Sequence, residues 1–303
     1  MVRTVAVTGG TGFIGQNLIK EFLRNGVRVI SVQRSTDNSQ NIETRYFNLA
    51  EKSSMTKELL GGVDVIVHTA ALVHDASAGP DAHRIVNYEA TKQLFELSKQ
   101  MHVKKFVFLS TVGVYGVHSH PKMIDINAPT DPKTDYARCK LASEKYLLAR
   151  SDGRMKVSVL RLPLVCGTGA PGNFGLIDKW AKRNVPLPFG FADNRRSLIS
   201  VDALVSVLVD ACEDLQLHLG LNLLTETMPL STKQLIAQLR YRYGMHPNLL
   251  PIPKIVMKLL LTAIGKKRMY EQLFDDLLFI SSIKVPHCDA SSFFDAGNRL
   301  PQV

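Results

Sequence analysis

Cysteine and tryptophan are scarce: the 303 residues hold four of the former and one of the latter. Cys139, Cys166, Cys212 and Cys288 lie far apart, with no Cys-x-x-Cys pair and no Cys/His spacing that suits a metal. That excludes a disulfide-stapled scaffold and a zinc module, and it predicts reduced thiols in a cytoplasmic protein with no metal site. Long apolar runs are missing too. Arg3 is followed by Val5-Ala6-Val7 and at once by glycines, so no signal-peptide core is expected. The most apolar late stretch, 259–265, is framed by Lys258 and Lys266 and is too short to span a bilayer, so no integral membrane segment is expected. With 20 Gly and 14 Pro there is no linker or low-complexity composition. Acidic residues are in the minority, 27 against 37 Lys+Arg, for a net charge of +10. The basic residues are scattered and form no stripe with interleaved aromatics, which argues against nucleic acid and for a positive field that draws in a small anion.

What is present is an ordinary globular composition, 45% hydrophobic and 21% charged, in enough chain for one large α/β domain or two modest ones. Short apolar runs alternate with helical patterns. Val5-Ala6-Val7, Val27 to Val32, Arg45-Tyr46-Phe47, Asp64 to His68, Lys105 to Leu109 and Val157 to Leu160 read as strands. A polar helix is expected through Leu60, others over about 81–101 and 134–148. Near-continuous apolar strands separated by helices mean a parallel sheet covered on both faces, a doubly wound layout of the Rossmann type. Beyond Pro163 the pattern loosens. The expected division is 1–165 with about 197–225 as a dinucleotide-binding domain, and about 166–196 with 226–303 as a smaller C-terminal substrate-binding lobe.

Three motifs carry chemistry. Gly9-Gly10-Thr11-Gly12-Phe13-Ile14-Gly15 joins the first strand to the first helix; glycines there allow a tight turn and close approach of a pyrophosphate to the helix N-terminus. Tyr136-Ala-Arg-Cys-Lys140 puts a phenol and an ammonium one turn apart on one helix face, where the cation is expected to lower the phenol pKa. Ser110-Thr111-Val112-Gly113-Val114-Tyr115-Gly116 ends a parallel strand at the carboxyl edge, where ligands bind; a hydroxyl there either meets a reacting oxygen or caps its own backbone.

Together and in this order, the motifs resemble the extended short-chain dehydrogenase/reductases, within them the NAD-dependent epimerase/dehydratase family acting on nucleotide sugars. Arg161-Leu162-Pro163 and the run 194–202 extend the resemblance over nearly the whole chain. The resemblance implies that Thr111 is the catalytic hydroxyl, Tyr136 the acid/base, Lys140 its partner and Asn87 an active-site asparagine. It implies NAD or NADP held by Gly9, Gly12, Phe13, Ile14, Gly15, Arg34, Asn48, Leu49, Ala70, Ala71, Asn87, Tyr136 and Lys140. It implies a UDP-sugar substrate contacted by Thr111, Asn173 and Arg196, the arginine gripping the diphosphate, and a homodimer formed through the helices at 89–101 and 136–148.

Departures from the family pattern shape the functional expectation. The second strand ends in Gln33-Arg34, where an acidic residue would hold the ribose of NAD; Arg34 either suits the 2′-phosphate of NADP or is simply exposed. Asn48-Leu49 replaces Asp-Leu, and Cys166-Gly167 replaces Tyr-Gly. No acidic pair follows Thr111, which disfavours dehydration. The expectation is hydride transfer at C4 of a UDP-linked hexose or N-acetylhexosamine, as a UDP-4-keto-sugar reductase of surface-polysaccharide synthesis or, alternatively, a UDP-hexose 4-epimerase. A non-catalytic dinucleotide-sensing module on the same fold is the remote alternative. Asp202 is expected to cap the following helix, His118 and His120 to be a loop pair. The segment 254–268 either packs as a helix of the second lobe or lies at a membrane interface.

Overall fold

The computed structural model describes residues 4–34, 42–73, 79, 81–226 and 228–286; Cys288 lies outside the described residues. Seven parallel strands form one sheet in the order β3-β2-β1-β4-β5-β6-β9: β1 Thr4–Thr8, β2 Arg28–Gln33, β3 Glu43–Tyr46, β4 Val65–His68, β5 Lys105–Thr111, β6 Lys156–Leu162 and β9 Gly220–Leu223. Strand order reverses beside β1, whose Val5 pairs with Val29 on one side and Val65 on the other. Ligands bind at such a reversal, outside the carboxyl ends of the strands. β7 Leu164–Cys166 and β8 Leu198–Ser200 pair separately.

Helices α1 Phe13–Arg24 and α2 Ala90–Gln100 pack on the large sheet through apolar stripes, Leu18, Ile19 and Phe22 on α1 and Leu94 and Phe95 on α2, whereas α3 Asp135–Ala149 buries a mixed face of Ala137, Lys140, Ser143, Glu144 and Leu147. Phe95 meets Phe106 edge to face at 5.4 Å, in a core that includes Ile30, Ile66, Phe108 and Val159. Thr134 caps α3 by accepting from the Ala137 N–H.

The chain divides into two compact units, 1–116 with 129–162 and 205–223, and 117–128 with 163–204 and 224–303. The second unit carries α4 Gly172–Ala181, α6 Thr232–Arg242, α7 Lys254–Ala263 and α8 Lys267–Phe274; α5 Val201–Glu213 runs from one unit into the other. Segment 117–128 belongs to the second unit, which the sequence pattern did not suggest. Among the described residues no helix is long and apolar enough to cross a membrane, and no three His, Cys, Asp or Glu side chains converge as metal ligands.

Several local expectations need correction. The polar helix before Gly61 is two short 3-10 turns, Lys52–Ser54 and Lys57–Leu60. The long helix expected over 81–101 is interrupted by a π-helical stretch, Arg84–Glu89. α5 is capped by Ser200, whose Oγ accepts from the Ala203 N–H at 3.1 Å, while Asp202 lies inside the first turn. The capping position is the residue directly before the helix, which here is Ser200.

Candidate active site

The glycine turn sits at the sheet's reversal point. Gly9 adopts φ +70°, in the left-handed region, and a Cβ on it would come within 2.9 Å of the Ala70 backbone. A Cβ on Gly15 would lie 2.2 Å from the Gly9 carbonyl oxygen, so helix and turn can touch only as glycines. α1 starts at Phe13 and Ile14 with no side chain capping its N-terminus. A helix end with uncapped N–H groups, beside a turn stripped of side chains, fits a pyrophosphate. Ala70 is tied to β1 through its N–H, which donates to Thr8 Oγ1 at 3.3 Å. At the end of β3, Asn48 Oδ1 accepts from the Ala50 N–H and its Nδ2 donates to Glu51, shaping a turn in which Leu49 packs against the core.

At the end of β2, Gln33 turns inward and its Oε1 accepts from Ser31 Oγ at 2.7 Å. Arg34 is exposed and makes no side-chain bond or ion pair to any described residue. No carboxylate stands on either residue.

Lys140 is buried. Its Nζ donates to the Leu109 carbonyl at 2.8 Å and lies 4.4 Å from the Phe108 ring centre and 5.9 Å from that of Tyr136. Burial lowers its pKa to about 7, against the pull of Glu144 and Cys139. Tyr136 is pushed the other way, up to about 12, by desolvation. The expected lowering of the phenol by its cationic neighbour is therefore overturned in the protein by itself. Lys140 carries only part of a charge near pH 7, and loss of water from the phenolate outweighs it.

Ser110 and Thr111 part ways. Ser110 donates to Glu144 in the interior, while Thr111, half-buried, accepts from the Gly113 N–H at 3.0 Å and keeps its own proton free to donate. Asn87, expected as an active-site asparagine and a cofactor contact, is engaged with its own chain. Its amide is occupied by Leu72, accepting from the N–H and donating to the carbonyl at 2.8 Å each, and it lies 3.2 Å from His83 Nδ1. Its own carbonyl accepts from Thr91 and Ser143 hydroxyls. Asn87 thus positions the loop after β4, which holds Ala70 and Ala71, and fastens α3.

Two groups escaped the sequence reading. Glu144 is 2% exposed and pairs with Arg161 through Nη2 at 2.7 Å and Nε at 3.0 Å; Arg161 also donates to Tyr115 Oη. The signal was available, since Tyr136, Lys140 and Glu144 recur every four residues along one face of α3. His68 ends the apolar run of β4, held between Thr8 Oγ1 at 2.7 Å and Thr91 Oγ1 at 3.0 Å. Burial lowers its pKa to about 3, so it is uncharged, a second reason that positive charge is low around Lys140.

In the second unit, Arg196 Nη1 donates to the carbonyls of His118, Glu271 and Asp275. Its Nη2 and Nε have no hydrogen-bond partner among the described residues. Burial lowers its pKa to about 10, which leaves it charged at neutral pH. Arg195 is spent on Asp276. Asn173 is exposed in the first turn of α4.

A Rossmann-type sheet with a glycine-lined anion cradle and a Tyr/Lys helix beside it is the frame of a nicotinamide-dependent short-chain dehydrogenase/reductase. The chain belongs to the NAD dependent epimerase/dehydratase family, whose description matches residues 5–218, and is an enzyme of that family. Its relatives include a UDP-glucose 4-epimerase of Vibrio cholerae, 31% identical over an alignment of 286 positions that covers 90% of this chain and 86% of that one. Among solved structures, the UDP-Glc/GlcNAc 4-epimerase of Campylobacter jejuni superposes with a TM-score of 0.73 at 21% identity, covering 95% of each chain. The Thermus thermophilus UDP-glucose 4-epimerase complex with NAD gives 0.68 at 23% identity, over 89% of this chain and 97% of that one. At these identities the structural likeness speaks to the fold.

Proposed function

We propose that this enzyme reduces the C4 ketone of a UDP-linked 4-keto-hexose or N-acetylhexosamine, in the cytoplasm, for surface-polysaccharide precursors, and works as a homodimer through α2 and α3. Gly9, Gly12, Phe13, Ile14 and Gly15 would hold a nicotinamide cofactor, which when bound would supply the hydride. C4 gains that hydride while Tyr136 gives its proton to the oxygen, so ketone becomes alcohol. Thr111 donates a hydrogen bond to the same oxygen, Lys140 beside Tyr136 tunes the phenol electrostatically, and the proton that Tyr136 gives up is replaced from solvent after the product leaves. Desolvation keeps Tyr136 in its protonated form in the protein by itself, the form that carries a proton to give.

The observation that carries the reading is Arg34. It stands exposed, with no partner among the described residues, where a carboxylate would anchor the ribose hydroxyls of a permanently held NAD. A free guanidinium there favours a 2′-phosphate and an exchanging NADPH. Arg34→Asp is expected to shift the ratio of NADPH to NADH efficiency towards NADH by at least ~10-fold, the equivalent of one charge-assisted contact. An unmoved ratio in steady-state assays would take Arg34 out of the cofactor site. The 4-epimerase reading is favoured by the name of the Vibrio cholerae relative. The two separate in one assay: turnover of a UDP-hexose with tightly retained NAD and no added cofactor makes the enzyme an epimerase.

Arg196 and Asn173 are proposed as contacts of the nucleotide diphosphate, the free side of the Arg196 fork facing its oxygens. Arg196→Ala is expected to raise KM for the nucleotide sugar at least ~10-fold with kcat little changed. It should also destabilise the fold by about 1–3 kcal/mol, since the carbonyls of His118, Glu271 and Asp275 lose their donor. A KM equal to that of the parent enzyme would place the diphosphate elsewhere.

A further inference from the structure

Helix α7 buries one narrow edge and turns the rest of its apolar surface outward. Met257 and Leu261, one turn apart, are its buried residues. Ile255 is 63% exposed, Leu259 65%, Leu260 57% and Ile264 62%, with Val256 also exposed. At about 100° per residue, these side chains and Ala263 sweep a continuous arc of roughly 180°. Soluble proteins rarely leave so much contiguous apolar surface in water without a partner. No described segment covers it.

The charge around this arc says what the partner is. Lys254 and Lys258 line the border between the arc and the buried edge, and Lys266, Lys267 and Arg268 follow Gly265, all exposed. The carboxylates near them are Glu271, 3.9 Å from Lys267, and Asp275, which feels Lys254 and Lys258. Cations outnumber these carboxylates, so the apolar arc is framed by positive charge. A second copy of α7 packed face to face would set lysine against lysine, which disfavours self-pairing. An anionic lipid surface satisfies both features, since acyl chains receive the leucines and isoleucines while headgroup phosphates receive the lysines. Ten residues span about 15 Å, half of a hydrocarbon core of about 30 Å, so the helix can lie in the surface and cannot cross it.

We propose that α7, with the cationic Lys266-Lys267-Arg268 turn, docks the enzyme reversibly on the surface of a bilayer rich in anionic phospholipid. The test is sedimentation of the full chain with phosphatidylcholine vesicles, with and without phosphatidylglycerol. Such binding needs no turnover, so its outcome is independent of which sugar chemistry the enzyme performs. The chain is expected to pellet with the anionic vesicles, far less with phosphatidylcholine alone, and less again when salt shortens the reach of the lysines. Leu259→Asn/Leu260→Asn should lower the partition coefficient at least ~10-fold, with turnover and oligomeric state unchanged. Replacing Lys266, Lys267 and Arg268 by Gln should remove the preference for phosphatidylglycerol. The proposal is overturned if the parent chain stays in the supernatant with anionic vesicles or if the Leu259→Asn/Leu260→Asn variant pellets as well as the parent. It is equally overturned if that variant turns a dimer into a monomer by sedimentation velocity, which assigns the arc to a second copy.

Discussion

Tyr136→Phe is expected to purify folded, to bind the cofactor normally and to lose at least ~10²-fold in kcat, the low end for a positioned acid/base. The ring stays, so its contacts on α3 survive; only the transferable proton goes. Desolvation holds this phenol up to about 12 in the protein by itself; in the proposed reaction, its loss would leave the C4 oxygen with only the Thr111 hydroxyl. The measurement is single-turnover reduction of a UDP-4-keto sugar alongside cofactor titration. A variant with near-parental kcat would remove Tyr136 from the chemistry. One that fails to bind cofactor would mean the phenol also holds the nucleotide.

Glu144→Ala should cost about 3–5 kcal/mol of stability, a large share of the total for most domains. Both partners of this ion pair are almost fully buried, with side-chain exposures of 5% for Arg161 and 2% for Glu144. Removing the carboxylate leaves a guanidinium that cannot shed its proton, in a place with little water, and strips Ser110 of its acceptor. Replacing both members by leucine should lose less than the single change, because the uncompensated charge goes with its partner. Urea unfolding followed by circular dichroism gives the values. A loss below about 1 kcal/mol for Glu144→Ala would show that water reaches the pair.

Six of the sheet's seven strands, all but β9, and the glycine turn were legible because their signals are local: apolar runs and a strand–turn–helix glycine pattern fall within a few residues of one another. Cap identity failed for Asp202 because Ser200, two residues earlier, competes for the same N–H groups. The π stretch at Arg84–Glu89 left no trace in periodicity, since a single wide turn shifts the phase of a helix without changing which residues are apolar. The Asn87 amide and the Glu144–Arg161 pair were invisible for another reason: each depends on partners brought in by folding, Leu72 fifteen positions away and Arg161 seventeen. Tyr136 shows the same limit in electrostatics. Spacing put the lysine next to it, and only three-dimensional burial decided that desolvation would win.

The order of strands in the sheet has a consequence for synthesis on the ribosome. β6 ends at Leu162 and its outer neighbour β9 begins at Gly220, with a stretch assigned to the other unit emerging in between. At about 5–20 residues per second, the newly made β6 waits roughly 3–12 s with an unpaired edge. That edge carries Val157, Val159, Leu160 and Leu162, all buried once folding is complete. It is a template for a neighbouring nascent chain during that interval. The first unit therefore cannot be finished in order of translation, and a fragment stopped at Leu162 would be born with a sticky border rather than as a smaller working enzyme.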